Sequence, residues 1–404
     1  MTALALDPDQ PAALLAAVGR LAGAPQVLAA VEQSGVAAHL VGGAVRDLLT
    51  GRRPRELDVV VDGDPAPLIA ALGDDDLVTY DRFATATVRL ADGTAVDIAR
   101  ARAERYPEPG ALPVVEPAPL AVDLHRRDVT LNAIAIDLRS GVVAAAGTAL
   151  DDLRDRVLRV LHPASFRDDP TRLWRLARYE VRLGADWDPV TWLLARQAID
   201  GGALQTVSRQ RLAAELRLAL REPDPFGALA AARRLGLPPR LELDAVRLHN
   251  AEILAGTLDD ASVRGEALVL AACASDDPAL PAYLERQEER EVIAAALRLR
   301  APRGWQQHPG PLPGDAPGSV IARRFDGLPI AAIAAAPDHA AAARWLRDLR
   351  HRRLQISGDA LLAAGVPQGA AVGRGIAAAR DALLDGTVGD DPARQLQIAL
   401  AAAC

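Results

Sequence analysis

The sequence predicts an α+β protein: a head domain built on a small mixed β-sheet, followed by a chain that is almost wholly helical. Three observations carry this. His39 to Asp64, HLVGGAVRDLLTGRRPRELDVVVDGD, reads as strand, glycine turn, short helix, loop and strand. Val88 and Leu90, then Val96 and Ile98, alternate on either side of Asp92-Gly93, the pattern of two short strands around a turn. From Trp187 onward the spacing is helical, broken at Pro223-Asp224-Pro225, Pro238-Pro239, Pro278 and Pro309 to Pro317.

The 404 residues suffice for two to four domains. Half are apolar and only 3% aromatic, which suggests helices packed through Ala and Leu. The net charge of −7 argues against a generally basic nucleic-acid coat. There is no Lys, so any RNA contact must come from local Arg clusters. Cys273 and Cys404 give neither a disulfide framework nor metal-ligand spacing. The N-terminus lacks a basic start and an apolar signal core, and no run of about 18 apolar residues suggests a membrane span. A soluble cytoplasmic protein with no membrane contact is expected; oligomeric state has no signal in the sequence.

Taken in order, the residues up to about Gly35 read as helical, with Pro11 just inside a start and Leu14, Leu15, Val18 and Leu21 at helical spacing. The strand His39 to Val41 ends at Gly42-Gly43. A turn without Cβ atoms lets backbone N–H groups approach a phosphate. Arg46, on the helical turn that follows, offers a planar fork of donors to phosphate oxygens. Glu56 and Asp58 share one face of the next strand, while Leu57, Val59 and Val61 share the other. A phosphate cradle opposite a carboxylate pair suits two-metal phosphoryl or nucleotidyl transfer, with the carboxylates holding Mg²⁺. Taken singly, the glycine pair is more often a plain turn and the acids a solvated strand face.

Pro65 to Leu72 reads as a helix. Asp97, on the second strand of the following pair, could reach the Glu56/Asp58 face as a third carboxylate or serve structure alone. Tyr106 to Asp123 is proline-rich and reads as a loop. In RRDVTLNAIAID, Arg126 to Asp137, the apolar spacing leaves helix and strand both open; Arg127 could pair with Asp123 or Asp128. In HPASFRDDPTRLWRLARYEVRLG, Pro170 suits the first helical position and Asp169 its N-cap. Arg172, Arg175, Arg178 and Arg182 then form a basic stripe about 120 degrees wide. Leu173, Leu176, Ala177 and Val181 supply the packing side. By itself this is a capped surface helix with a solvated face. Ser208 to Arg211 opens a further helix ending near Glu222. Gly304 to Gly318 is the best internal linker, and Trp345 to Arg353 is locally basic.

Several of these segments together resemble the class II tRNA nucleotidyltransferases, the CCA-adding enzymes, and the related bacterial poly(A) polymerases. Gly42 to Asp47 matches the family's GGxVRD motif in full, and Glu56-Leu57-Asp58 resembles its DxD strand, with Glu56 where the first Asp is usual. FATATVRLADGTAVDIARARAERY continues the likeness. RRDVTLNAIA resembles RRDFTINAxA, with Val129 for Phe and Leu131 for Ile. Asp168-Asp169-Pro170-Thr171-Arg172 resembles EDxxR, with Asp168 for Glu. The segment LQISGDALLAAGVPQGAAVGRGIAAARDALLDG is similar to the tail of bacterial members.

The resemblance implies a nucleotidyltransferase head over residues 1–160, a helical neck over 161–225, a body over 226–303 and a tRNA-contacting tail over 304–404. It implies catalytic and metal-holding roles for Glu56 and Asp58, with Asp97 assisting, and Mg²⁺ as cofactor. Gly42, Gly43, Arg46 and Arg127 would cradle the triphosphate. Asp169 and Arg172 would select the base, and Arg175 and Arg178 would hold the triphosphate or brace that pair. The chemistry is coherent: cytosine and adenine each present an amine donor beside a ring-nitrogen acceptor, which a carboxylate and a guanidinium match. Uracil and guanine present a carbonyl instead, leaving the carboxylate unpaired at about 1–3 kcal/mol. The implied activity is template-independent addition of C and A to the tRNA 3′ end from CTP and ATP. Alternatives are a CC-only, A-only or poly(A)-adding enzyme, or a non-catalytic RNA-binding protein on the same fold.

Overall fold

A computed structural model of the chain describes residues 4–54, 56–73, 77–80, 85–258, 265–301 and 311–404. The chain forms two compact units, one of Met1–Glu215 with Glu222–Leu237 and one of Leu216–Arg221 with Pro238–Cys404.

The first unit opens with α1 (Pro11–Val18) and α2 (Ala24–Ser34), the latter closed by Gly35 in the left-handed conformation. Next come β1 (Ala38–Val41), α3 (Gly43–Leu49), β2 (Leu57–Val61), α4 (Ala66–Leu72), β3 (Leu77–Tyr80), β4 (Thr85–Arg89) and β5 (Ala95–Arg100). After β6 (Arg102–Arg105), β7 (Val114–Pro117) and α5 (Leu120–His125), the chain returns to the sheet as β8 (Ile134–Asp137) and β9 (Val143–Ala145). The seven-stranded sheet has the order β3-β4-β5-β2-β1-β8-β9. Only β2 and β5 run parallel, so the sheet is mixed as expected. Val59 and Val61 are buried on one face. On the face that carries Asp58, Val60 packs with Val41, Leu120, Leu124 and Ala133. The strand is therefore Val-rich through its length, and only its first residues reach an open edge.

One expectation needs correction, and one open reading is resolved. The stretch read as a loop from Tyr106 to Asp123 contains β7, paired antiparallel with β6, and most of α5. Both elements are short, and the prolines of the segment, Pro107, Pro109, Pro113, Pro117 and Pro119, stand before or at their ends. The segment left open at Arg126 to Asp137 holds a 3₁₀ turn at Thr130–Asn132 and then β8. After α6 (Ala149–Asp155), β10 (Val157–Leu158) and α7 (Ser165–Asp168), the helix of the arginine stripe, α8, runs Arg172–Leu183 and is entered through the turn Pro170-Thr171. Asp169 makes the capping contact expected of it: extended at φ −133° and ψ 92°, it accepts from the backbone and hydroxyl of Thr171.

The unit closes with β11 (Asp186–Trp187), α9 (Pro189–Asp200), α10 (Arg209–Leu220) as far as Glu215, and α11 (Pro225–Leu235). Because α11 packs on α8, the boundary expected at 225/226 falls inside this unit. Past Leu237 the second unit is helical throughout its described residues, from α12 (Ala245–Gly256) to α20 (Pro392–Ala403). Residues 302–310 of the expected linker lie outside the described residues. Its last residue, Gly318, instead starts a helix, buried where an added Cβ would meet the Leu384 carbonyl at 2.1 Å. Among the described residues, no helix is long and apolar enough to cross a membrane.

Candidate active site

One cleft in the first unit brings the sequence-predicted residues together. Gly42, Gly43, Arg46, Glu56, Asp58 and Arg127 line it from the sheet side, and Asp169, Arg172 and Arg175 from the helical side. Two of the predicted set stand elsewhere: Asp97 is exposed beside the cleft, and Arg178 is buried behind it.

The acid side follows from strand register. Asp58 and Asp97 are direct partners in the parallel β2/β5 ladder, so their side chains project from the same face. Glu56 precedes Asp58 by two residues, and the Thr87 hydroxyl donates to Asp97 Oδ1 at 2.5 Å. Burial, with the charges of Glu56 and Asp97, pushes the Asp58 carboxyl up to about 6, against the pull of Arg127 and Arg46. Among the described residues no group of three or more His, Cys, Asp or Glu forms a ready-made metal cage. What stands here is an all-oxygen set with crowded negative charge. That set fits a hard cation that takes one or two carboxylates and completes its shell from water and substrate phosphates.

The phosphate side depends on Gly42, whose φ is 68°. That backbone conformation favours glycine, and an added Cβ would lie 2.8 Å from Arg127 Nη1, displacing the guanidinium that covers the turn. Arg127 donates to Asp123 Oδ2 at 2.9 Å, while its Nε is buried without an acceptor, the orphaned donor that an anion would satisfy. Arg46 is only 4% exposed and committed to protein: Nε and Nη2 hold Asp47 Oδ1 at 2.9 and 2.8 Å, and Nη1 donates to Asn132 Oδ1 at 2.5 Å. It also lies 5.9 Å from the Tyr179 ring centre. Tyr179 in turn donates to Asp128 Oδ2 at 3.0 Å. Burial and the Asp128 charge hold its phenol well above the usual range, so it stays a donor.

On the helical side, Asp169 Oδ1 accepts from Thr171 N (3.0 Å), Thr171 Oγ1 (2.6 Å) and Arg211 Nη2 (2.7 Å). Arg172 donates through Nη1 to Ser165 Oγ at 2.6 Å and through Nη2 to the Arg126 carbonyl at 2.8 Å. Arg175 bonds Glu215 at 3.2 Å and lies 3.7 Å from Asp128. The stripe therefore divides. Arg172, Arg175 and Arg182 line the cleft, whereas Arg178 donates to Glu215 and Glu222, each at 2.9 Å.

Sequence reasoning missed Glu104, Tyr106, Asn132, Tyr179 and Arg211 as cleft residues. Tyr106 donates to Glu104 Oε2 at 2.8 Å, and Arg126 Nη1 to Glu104 Oε1 at 2.6 Å. Tyr106 and Glu104 are neighbours on the chain, but Arg126–Glu104, Arg211–Asp169 and Tyr179–Asp128 join residues 22, 42 and 51 positions apart, which no local pattern announces.

The Poly A polymerase head domain family matches residues 38–159. The A-adding tRNA nucleotidyltransferase of Geobacter sulfurreducens is 39% identical over 221 residues, which cover 52% of this chain and 25% of that protein. The chain spans only a quarter to a half of the A-adding and CC-adding relatives it matches. The multifunctional CCA protein of Leptothrix cholodnii is 33% identical over 304 residues, 65% of this chain and 68% of that one. A solved CCA-adding enzyme in an apo form superposes with a TM-score of 0.76 at 25% identity, covering 98% of this chain and 96% of that one. With sequence likeness running past the head and a shared fold along nearly the whole length, the chain belongs to the family of class II tRNA nucleotidyltransferases and bacterial poly(A) polymerases.

Proposed function

We propose that this chain adds C and A, without a template, to the 3′ end of tRNA, using CTP and ATP with Mg²⁺. The observation that carries the reading is the single cleft with an acid pair on one wall and Asp169 with Arg172 on the other. One nucleotide there would have its phosphates at the first wall and its base edge at the second. The names of the relatives, A-adding, CC-adding and multifunctional CCA protein, support the same chemistry.

The family uses a divalent cation. In this chain Glu56 and Asp58 would hold it, with Asp97 beside them. Bound there, Mg²⁺ would neutralise the triphosphate and lower the pKa of the attacking 3′-hydroxyl. Gly42 and Gly43 give the triphosphate room, Arg127 and Arg175 balance its charge, and Arg46 braces the turn through Asp47 and Asn132. Asp169 reads the amine of cytosine or adenine with Oδ2, which no described protein donor reaches, and Arg172 the neighbouring ring nitrogen. Arg178 acts behind the site by fixing α8 to Glu215 and Glu222. On this reading residues 1–160 serve transfer, 161–225 with α11 behind them read the base, 226–303 form a body, 304–404 contact the tRNA, and the protein works in the cytoplasm.

The test is incubation of the purified chain with tRNA lacking CCA and with labelled CTP or ATP. Incorporation of both is the expected result. ATP alone would make it an A-adder, CTP alone a CC-adder, and neither a binding protein on this fold, the reading that Glu56 in place of Asp favours.

A further inference from the structure

We infer that Arg211 is the positioning residue of the base-reading carboxylate: it pins one oxygen of Asp169 so that the other is presented in a single direction. The inference rests on the proposed role of Asp169 and names a residue that the role itself does not require.

Arg211 lies in the first turn of α10 and reaches into the cleft with both ends of its fork. Nη2 donates to Asp169 Oδ1 at 2.7 Å, and Nη1 donates to the Gly110 carbonyl at 2.7 Å. That carbonyl is itself fixed. Gly110 has a φ of +70°, and an added Cβ would come within 2.1 Å of Thr206 Oγ1, so the backbone there accepts only glycine. Arg211 is thus anchored at the Gly110 carbonyl as it meets Asp169.

All three donors to Asp169 converge on Oδ1, and among the described residues none reaches Oδ2. A carboxylate without such asymmetry rotates about its terminal torsion, and its two oxygens exchange. With Oδ1 bonded to the Thr171 amide, the Thr171 hydroxyl and the Arg211 guanidinium, exchange would break three bonds, one of them charge-assisted. Selection between an amine and a carbonyl depends on an acceptor whose direction is set before the nucleotide arrives. Two neutral donors hold the oxygen more loosely than the full set does.

Equilibrium binding of labelled CTP and UTP to the full chain tests this, with melting temperatures in parallel. R211M is expected to narrow the preference for CTP over UTP about ten-fold. R211K keeps a charged donor but loses the fork to Gly110, and recovers part of the preference. Should R211M fail to fold, T171V removes only the hydroxyl donor to the same oxygen and shifts the preference in the same direction by less. If D169A loses the preference while R211M, or T171V in its place, keeps it, the inference is overturned and the role of Asp169 stands. If D169A also keeps it, the role of Asp169 and the inference fall together. A lower melting temperature for R211M with an unchanged CTP/UTP ratio makes the ion pair structural and likewise overturns it.

Discussion

Asp58→Asn should make the metal-free protein more stable at neutral pH and hardly change it in acid. The carboxyl of Asp58 is raised from an ordinary 3.8 to about 6 by burial and by its neighbours Glu56 and Asp97. Between those two values the folded chain still holds a proton that the unfolded chain has released. Stability therefore falls as pH rises through the window from about 4 to about 6, and stays lower above it. At about 1.4 kcal/mol for each tenfold change, the ionised group costs up to about 3 kcal/mol. Asparagine keeps the shape and removes the charge. For a unit of this size the variant should melt about 6–12 °C higher at pH 8, with the gap closing toward pH 4. Thermal unfolding in a chelating buffer, scanned at intervals from pH 4 to 8, measures it. Adding Mg²⁺ at pH 8 should raise the melting temperature of the wild type and leave the variant nearly unmoved. A gap that is the same at pH 5 and pH 8, or a variant that melts lower at pH 8, would refute the argument that crowded charge at Asp58 is waiting for a cation.

Gly42→Ala combines a φ of 68° with a contact of 2.8 Å to Arg127, and should cost about 1–2 kcal/mol while weakening CTP binding; unchanged melting and binding would remove this turn from the phosphate site. Arg178→Met removes one of two arginine partners from each of the buried carboxylates Glu215 and Glu222, which keep Arg175 and Arg182, and should destabilise by about 1–3 kcal/mol. Its KM for CTP should stay at the wild-type value, and a raised KM with intact stability would return Arg178 to the nucleotide. Arg172→Ala should weaken CTP and ATP binding together, and a loss confined to one nucleotide contradicts a shared pocket. Glu56→Asp shortens the acid by one methylene and should raise turnover in the incorporation assay; an equal or lower rate means that this chain is built around glutamate.

What could be read from the sequence was whatever is encoded within a few residues. The β1–turn–α3 unit, the Val-rich β2 and the acids two apart all follow from local patterning, as does the arginine spacing on α8. The placement of Asp97 beside Asp58 needed only the idea of a mixed sheet, and the ladder supplies the register. Asp169 is legible as a cap because Asp-Pro favours a helix start, but the Thr171 hydroxyl and the Arg211 guanidinium on the same carboxylate oxygen are not. The arginine stripe was located correctly, but periodicity cannot tell which member meets a distant carboxylate. Arg178 is turned inward by Glu215 and Glu222, some forty residues later. Arg211 and Tyr179 were invisible for the same reason: their partners, Asp169 and Asp128, are brought near only by folding.

The pairing of Leu57 with Val96 and of Asp58 with Asp97 has a consequence for how this chain can vary. Insertions and deletions between Val61 and Ala95 leave the two acids side by side as long as the ladder keeps its alignment. One extra residue inside β5, ahead of Asp97, would swing that carboxylate through to the opposite surface and bring an apolar neighbour out in its place. Homologues should therefore differ freely in connector length here, while the count of residues within the two strands stays fixed.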